Sequence, residues 1–272
     1  MRTCWRSCCH GRVPVKVSAC ITINHREPDV LDAVFSSMRE QALDEFIIVL
    51  DAPPDKTLEF CNHYDWRGCG FEVKKVPIMR APGWRSPVKA WNRGFAAVTG
   101  DALYAFSSET VQASGNVSRA AAMLQESPAC IFGKATCSCG PGGSEVNWGG
   151  SAPGNLLCDA AHPRPLGFIW AAPMQQVKAA GPWDEEFDKG FWHDEQDMMY
   201  RLWNTGMPFV FTDEISGVHL HHDRPDLTQD GIKRNTDYML KKYGSLNPLA
   251  GVQKIASYAP GRTTWRHLRH RS

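Results

Sequence analysis

Short apolar runs alternate with amphipathic stretches along most of the chain. Val15 to Asn24 is rich in β-branched residues and reads as a buried strand. Pro28 then opens a helical pattern in which Val30, Leu31, Val34, Phe35 and Met38 fall on one face. Proline suits a first helical turn, where its missing N–H has no intrahelical partner to lose. Glu45 to Leu50 is a second apolar strand, residues 51–55 a turn, residues 55–65 a helix and Phe71 to Val76 a third strand. A loop carrying Pro77, Pro82, Gly83 and Pro87 follows, then a helix over 87–98 that stops at Gly100. Ala102 to Phe106 is a fourth strand, 115–126 a helix and 129–136 a further strand.

Residues 137–165 break this rhythm, being rich in Gly, Ser and Pro with no apolar period. A loop of that length in a compact domain is usually functional or mobile. Beyond it Leu166–Ala171 reads as a strand, 173–180 as a short helix, 193–205 as a helix ended by Gly206, and Phe209–Thr212 and Ser216–His221 as short strands. Strands alternating with helices predict an α/β fold with a mostly parallel central sheet flanked by helices. Ligands of such sheets bind beyond the carboxyl ends of strands. The segments at 24–27, 51–55 and 107–110 are therefore the first places to look.

The 272 residues are 43% hydrophobic and 22% charged, which excludes a disordered or collagen-like chain. Thirty Lys and Arg against 29 Asp and Glu leave +1, so no molecule-wide field for nucleic acid or membrane is implied. No apolar run approaches the roughly 20 residues of a membrane helix, and no apolar core follows Arg2 and Arg6 as a secretory signal would require. A cytoplasmic location is the expectation, with the ten cysteines as free thiols. Two groups stand apart: Cys4, Cys8, Cys9 and His10 have ligand types for zinc, and Cys137-Ser138-Cys139 suits a redox or metal pair. After Asp237 there is no acidic residue and there are seven basic ones: Lys241, Lys242, Lys254, Arg262, Arg266, Arg269 and Arg271. Such a tail serves as a solubilising end, or contacts an anionic membrane surface or an anionic acceptor.

Four clusters carry candidate chemistry. Asp51 ends the second strand, where a carboxylate accepts hydrogen bonds from a base or ribose, or simply shapes a turn before Pro53-Pro54. Ser107-Ser108-Glu109 ends the fourth strand and offers one carboxylate to a divalent cation. Asp194 and Glu195 lie in a helix's first turn, where the macrodipole favours their charge and where a carboxylate facing a cleft acts as a general base. Asp197 and Arg201 are spaced to pair on that helix. In His219-Leu220-His221-His222, His219 and His221 share a strand face; a strand ending at 221 lets His222 turn back, and the group suits metal or phosphate.

Taken in order, these features resemble a family 2-like glycosyltransferase of the GT-A fold over residues 15–225. Ile47 to Thr57 is similar to that family's strand and Asp-containing nucleotide loop, Ala90-Trp91-Asn92-Arg93-Gly94 to its Asn-x-Gly helix, and Gly100 to Glu109 to the strand leading to its DxD motif. Residues 181–187 resemble its Gly-x-Asp-Glu-x-Phe segment, and Asp194 to Leu202 its Glu-Asp-x-Asp helix with a following Arg-Leu. The first DxD carboxylate is a serine here, the Glu-Asp pair is inverted, and no Gln-x-x-Arg-Trp of a processive synthase occurs.

The resemblance implies an inverting, non-processive transfer of a sugar, hexosyl in type, from a nucleoside-diphosphate donor (UDP-linked by the fold's commonest habit) to a hydroxyl. Asp51 would hold the base, with Thr22, Asn24 and Glu27 on the nucleoside side and Lys89, Asn92, Arg93 and Ser107 completing the donor site. Mn²⁺ or Mg²⁺ would sit on Glu109 with His219 or His222. Glu195 takes the position of the base, with Asp194 behind it, while Trp183, Asp184 and Trp192 face sugar or acceptor. The 137–165 loop would close over the donor. Residues 15–110 would form the nucleotide-binding half and 111–225 the acceptor half, between a flexible leader at 1–14 and a helical, basic extension at 226–272. The acceptor stays open among glycan, lipid-linked sugar, protein and modified DNA base. Two other readings remain: a domain that binds a nucleotide sugar without transferring it, and a zinc-stabilised nucleic-acid-binding protein built on the Cys4–His10 group and the basic tail.

Overall fold

The computed structural model describes residues 14–81, 83, 85–138, 156–222 and 227–249, and the backbone of 256–257. The Cys4–His10 group, Cys139, most of the Gly-rich loop and the basic tail beyond Lys242 lie outside the described residues. In chain order the elements are β1 (Val17–Ile23), α1 (Pro28–Arg39), β2 (Glu45–Asp51), α2 (Asp55–His63), β3 (Glu72–Ile78), α3 (Val88–Ala97), β4 (Ala102–Phe106), β5 (Thr110–Gln112), α4 (Asn116–Glu126), β6 (Cys130–Cys137) and β7 (Leu156–Cys158). Then come β8 (Ile169–Pro173), α5 (Met174–Ala180), a 3-10 turn over Glu185–Lys189, α6 (Asp194–Asn204), β9 (Phe209–His219), α7 (Gln229–Tyr243) and β10 (Ala256–Ser257).

The sheet runs β10-β9-β6-β8-β4-β1-β2-β3, with β5 paired to β9 and β7 to β6. β1 to β4 are mutually parallel neighbours, and β8 is antiparallel to both β4 and β6. The first strands are apolar throughout because both faces are covered. Val17, Ala19, Ile21 and Ile23 pack with Phe46, Ile48 and Leu50 against Leu31, Val34, Phe35 and Met38 of α1. The alternate residues Cys20, Ile47 and Val49 pack against Val88, Ala90, Trp91 and Phe95 of α3. Period-two strands and a helical stripe thus meet as the sequence pattern predicts. A Cβ at Gly94 would lie 2.5 Å from Cys20 Sγ, so the Asn-x-Gly glycine is what lets α3 approach the sheet.

Three differences from the sequence reading have local causes. The two short strands expected over 209–221 are one strand, with a register shift opposite Gly133 and Lys134. The exposed Asp213 and Glu214 that interrupt the apolar pattern fall in that shift. β7 lies inside the segment read as an unbroken loop. Cys137 is disulfide-bonded rather than a free thiol, whereas Cys20, Cys61, Cys69, Cys130 and Cys158 are free. No helix among the described residues is long and apolar enough to cross a membrane.

Candidate active site

The carboxyl ends of β1, β2 and β4 and the end of β9 meet at one rim of the sheet. Pairing of β5 with β9 sets Thr110 opposite His219, and the Leu220 N–H donates to the Glu109 carbonyl at 2.8 Å. Glu109 is thereby held beside the histidines, 7% exposed. Its Oε1 lies 3.2 Å from His219 Nε2 and 3.4 Å from His222 Nε2. One ligand atom from each of these residues lies within 4.8 Å of the others. The other oxygen, Oε2, accepts from Arg26 Nε at 2.8 Å and from Ser108 Oγ at 2.9 Å. Burial raises the carboxyl's pKa, but the Arg26 guanidinium and the two imidazoles outweigh it and hold Glu109 well below the usual carboxylate range. Ser107 does not join the group; its hydroxyl bonds Thr110 Oγ1 at 2.7 Å.

Asp51 occupies the matching place on β2 and is 1% exposed. Both of its oxygens accept from Arg80. Arg80 also donates to Asp188 at 2.6 Å, and Lys89 lies 2.9 Å from Asp188. This network ties β2, the 79–87 loop, α3 and the 3-10 turn together. Asn24 donates to the Asp51 carbonyl at 2.7 Å and to the Gly83 carbonyl at 3.2 Å, closing the same corner. Thr22 is half-buried on β1. Glu27, exposed at the start of α1, pairs with Lys56, and Arg93 is exposed on α3. A cavity of about 390 Å³ opens beside the network between Arg85, Asp188, Phe191, Thr228 and Arg234; the Glu109 group does not line it.

The start of α6 brings the second pair of carboxylates. Trp192 and His193 precede it with φ of 68° and 66°. Non-glycine residues rarely adopt this left-handed conformation, which costs on the order of 1 kcal/mol each and persists only where the surroundings impose it. The imposing element is α7. Asn235, fully buried, donates to the carbonyls of Phe187 at 2.9 Å and Trp192 at 3.2 Å. Thr236 Oγ1 lies 3.1 Å from His193 Nε2, and the Phe191 N–H donates to the Gly231 carbonyl at 3.1 Å. Glu195 accepts from the Gly167 N–H at 3.2 Å, and a Cβ on Gly167 would lie 2.5 Å from its Oε1, so glycine there makes room for the carboxylate. Burial raises the Glu195 pKa, opposed by the Gly167 bond and supported by the Glu109 charge. Asp194 is buried against Ser86, whose hydroxyl lies 3.4 Å away, and burial together with Glu195 pushes its pKa up to about 7.

The remaining candidates stand in supporting positions. Trp183 is buried and stacked on Trp91, with ring centroids 5.9 Å apart. Asn92 exchanges hydrogen bonds with the Trp183 backbone, at 2.7 and 3.0 Å. Asp184 caps the 3-10 turn and accepts from Tyr238 and Lys242, each at 2.7 Å. Trp192 is 41% exposed beside the α6 start. Asp197 and Arg201 pair at 2.9 Å as their spacing predicts. The sequence reading gave no role to Arg26, Arg80, Ser86, Gly167 or Asn235. Arg26 lies within the 24–27 segment and Ser86 leads into the Asn-x-Gly helix, but no local pattern marks the other three.

The chain has a family 2-like GT-A fold. The sequence model of glycosyl transferase family 2 matches residues 19–146, which hold β1 to β6 and Glu109. No curated protein matches the sequence. Among solved structures, GalNAc-T7 with UDP, GalNAc and Mn²⁺ superposes with a TM-score of 0.59 at 12% identity, covering 85% of this chain and 49% of that one. The mannosyltransferase PcManGT from Pyrobaculum calidifontis, in complex with GDP-Man and Mn²⁺, gives 0.56 at 12% identity over 85% of this chain and 64% of that one. S. aureus TarS 1-349 gives 0.52 at 16% identity over 77% of this chain and 58% of that one. The chain thus spans between about half and two-thirds of each of these structures.

Proposed function

We propose that the protein is an inverting, non-processive glycosyltransferase that moves a hexosyl group from a nucleoside-diphosphate sugar, UDP-linked, to an acceptor hydroxyl. The observation that carries this reading is Glu109 with His219 and His222, set at a GT-A rim beside the Asp194–Glu195 pair. A carboxylate and two imidazoles fit a divalent cation. Such a set is softer than the all-oxygen shells Mg²⁺ prefers, which favours Mn²⁺, the ion in two of the similar structures. When bound, the cation supplies positive charge opposite the diphosphate oxygens that gain charge as the leaving group departs.

The chain's own residues do the rest. Arg26 and Lys89 carry positive charge at the donor rim. Asn24 and Asp51, fixed through Arg80, shape the corner that receives the nucleoside, with Thr22 and Glu27 beside them. Asn92 with Asp184 and the stacked Trp183 position the sugar side from behind, Arg93 and Ser107 complete the donor half, and Trp192 offers a half-exposed ring to the acceptor. Glu195 takes the proton of the attacking hydroxyl. Its raised pKa brings it nearer the working pH, where a general base is most effective. The Glu109 charge helps keep that pKa up, and Asp194 stands behind Glu195 as the second carboxylate of the pair. In-line attack opposite the leaving diphosphate inverts the anomeric centre. Residues 15–110 thus hold the donor and 111–225 the acceptor.

The test is release of UDP or GDP from a panel of their sugars, with and without hydroxyl acceptors. Turnover of one donor that falls at least a hundredfold in a Glu195→Gln, Asp194→Asn double variant supports the reading. Full turnover in that variant contradicts it.

A further inference from the structure

Arg26 has no part in the donor contacts expected from sequence, yet among the described residues it makes the shortest polar contact of the Glu109 side chain. Its side chain is 10% exposed and its Nε lies 2.8 Å from Oε2, the oxygen turned away from the imidazoles. The backbone around it is fixed, because Thr57 Oγ1 donates to the Arg26 carbonyl at 2.7 Å. Among the described residues the guanidinium makes one other hydrogen bond, from Nη1 to the His25 carbonyl at 2.6 Å. So the base of the side chain is anchored while its charged end rests on a single carboxylate. With Arg26 in place the carboxylate's charge is neutralised and one of its oxygens is taken. A divalent cation would then meet one oxygen, two imidazoles and no net negative charge.

We propose that Arg26 couples metal binding to diphosphate binding: it withholds Glu109 from the cation until the donor's phosphates offer the guanidinium another anion. Arginine is suited to the exchange, since its fork matches carboxylate and phosphate alike. Released from Arg26, Glu109 presents a full negative charge to the cation. Metal and nucleoside diphosphate then bind cooperatively, each raising the affinity of the other by the same factor, as linkage requires. The proposal rests on the metal-assisted reading above, and the following experiment separates the two.

Mn²⁺ binding is measured by titration calorimetry on the full chain, with and without saturating UDP or GDP, for wild type, Arg26→Gln and Glu109→Gln. Melting curves check that each variant is folded. Arg26→Lys serves as a second variant, keeping the charge but not the fork. The expected result is weak Mn²⁺ binding to wild type that strengthens at least tenfold, about 1.4 kcal/mol, with a nucleoside diphosphate. Arg26→Gln should bind Mn²⁺ alone at least tenfold more tightly than wild type and lose most of that cooperativity, with Arg26→Lys between them. Equal Mn²⁺ affinity in wild type, Arg26→Gln and Arg26→Lys, abolished by Glu109→Gln, overturns the coupling and leaves the metal site standing. No Mn²⁺ binding to any folded variant, with or without nucleotide, overturns the metal site and the coupling with it.

Discussion

Asp51 ends β2 and Glu109 follows β4, the two strands that flank β1; both carboxylates are buried, and both face an arginine. Asp51 gives both oxygens to Arg80, which is itself held by Asp188. Glu109 gives one oxygen to Arg26 and turns the other toward two imidazoles. The first pair is closed and joins four segments of the chain. The second is shared: one oxygen lies on a guanidinium and a hydroxyl, the other on two imidazoles, which are themselves metal-ligand types. Residue type and burial do not distinguish these two carboxylates; what distinguishes them is the partner set, a guanidinium alone on Asp51 and a guanidinium, a hydroxyl and two imidazoles on Glu109.

The largest effect expected is on catalysis. Glu195→Gln should lower kcat by about 10²–10⁴-fold, the usual worth of a general base, with little change in melting temperature. Because burial raises the Glu195 pKa, wild-type activity should rise as pH passes upward through that value, and the residual activity of the variant should lose this limb. A pH–rate profile checks both.

The closed pair should answer in stability instead. Arg80→Met strands Asp51 and Asp188 without their shared cation and should cost about 3–5 kcal/mol in urea unfolding. Removing Arg26 should cost far less, since the imidazoles still face Glu109. Equal losses would erase the distinction between the two sites. A smaller loss, about 1–3 kcal/mol, is expected for Asn235→Ala, which removes a donor from the carbonyls of Phe187 and Trp192. That variant should also reduce kcat, because the left-handed turn that aims Glu195 loses its brace.

The smallest effect concerns Asp194, whose pKa is pushed up to about 7. The folded state binds this proton more tightly than the unfolded state does, so the contribution is destabilising as pH rises from about 4 through 7. Asp194→Asn should therefore raise the melting temperature at pH 8 relative to wild type and change it little at pH 4. A scan of melting temperature against pH for both proteins decides the sign.

The sheet half from β1 to β4 was legible because β1, β2 and β4 are apolar on both faces and its helices carry one apolar stripe. Those patterns are local. Glu109, His219 and His222 were also legible as candidates, because the end of a strand and a run of histidines are local features too. The bracing of the α6 start was not. It depends on Asn235 reaching residues 43 and 48 positions earlier, and nothing around Asn235 in sequence distinguishes it from an exposed helix residue. The helix expected as a C-terminal extension is in this respect part of the site's frame. Arg26 and Arg80 escaped for the same reason: a cation's partner is set by topology, 83 and 29 residues away here. The strands over 209–221 were read as two because a bulge interrupts polarity just as a turn does.

The central claim is that a single carboxylate with two histidines does the work of a two-carboxylate motif. The most direct test is calorimetric titration of UDP and then GDP into wild type and Glu109→Gln, with and without Mn²⁺. The account predicts micromolar binding of UDP that requires Mn²⁺ and is lost in Glu109→Gln. Nucleotide binding that is indifferent both to Mn²⁺ and to Glu109→Gln would contradict it.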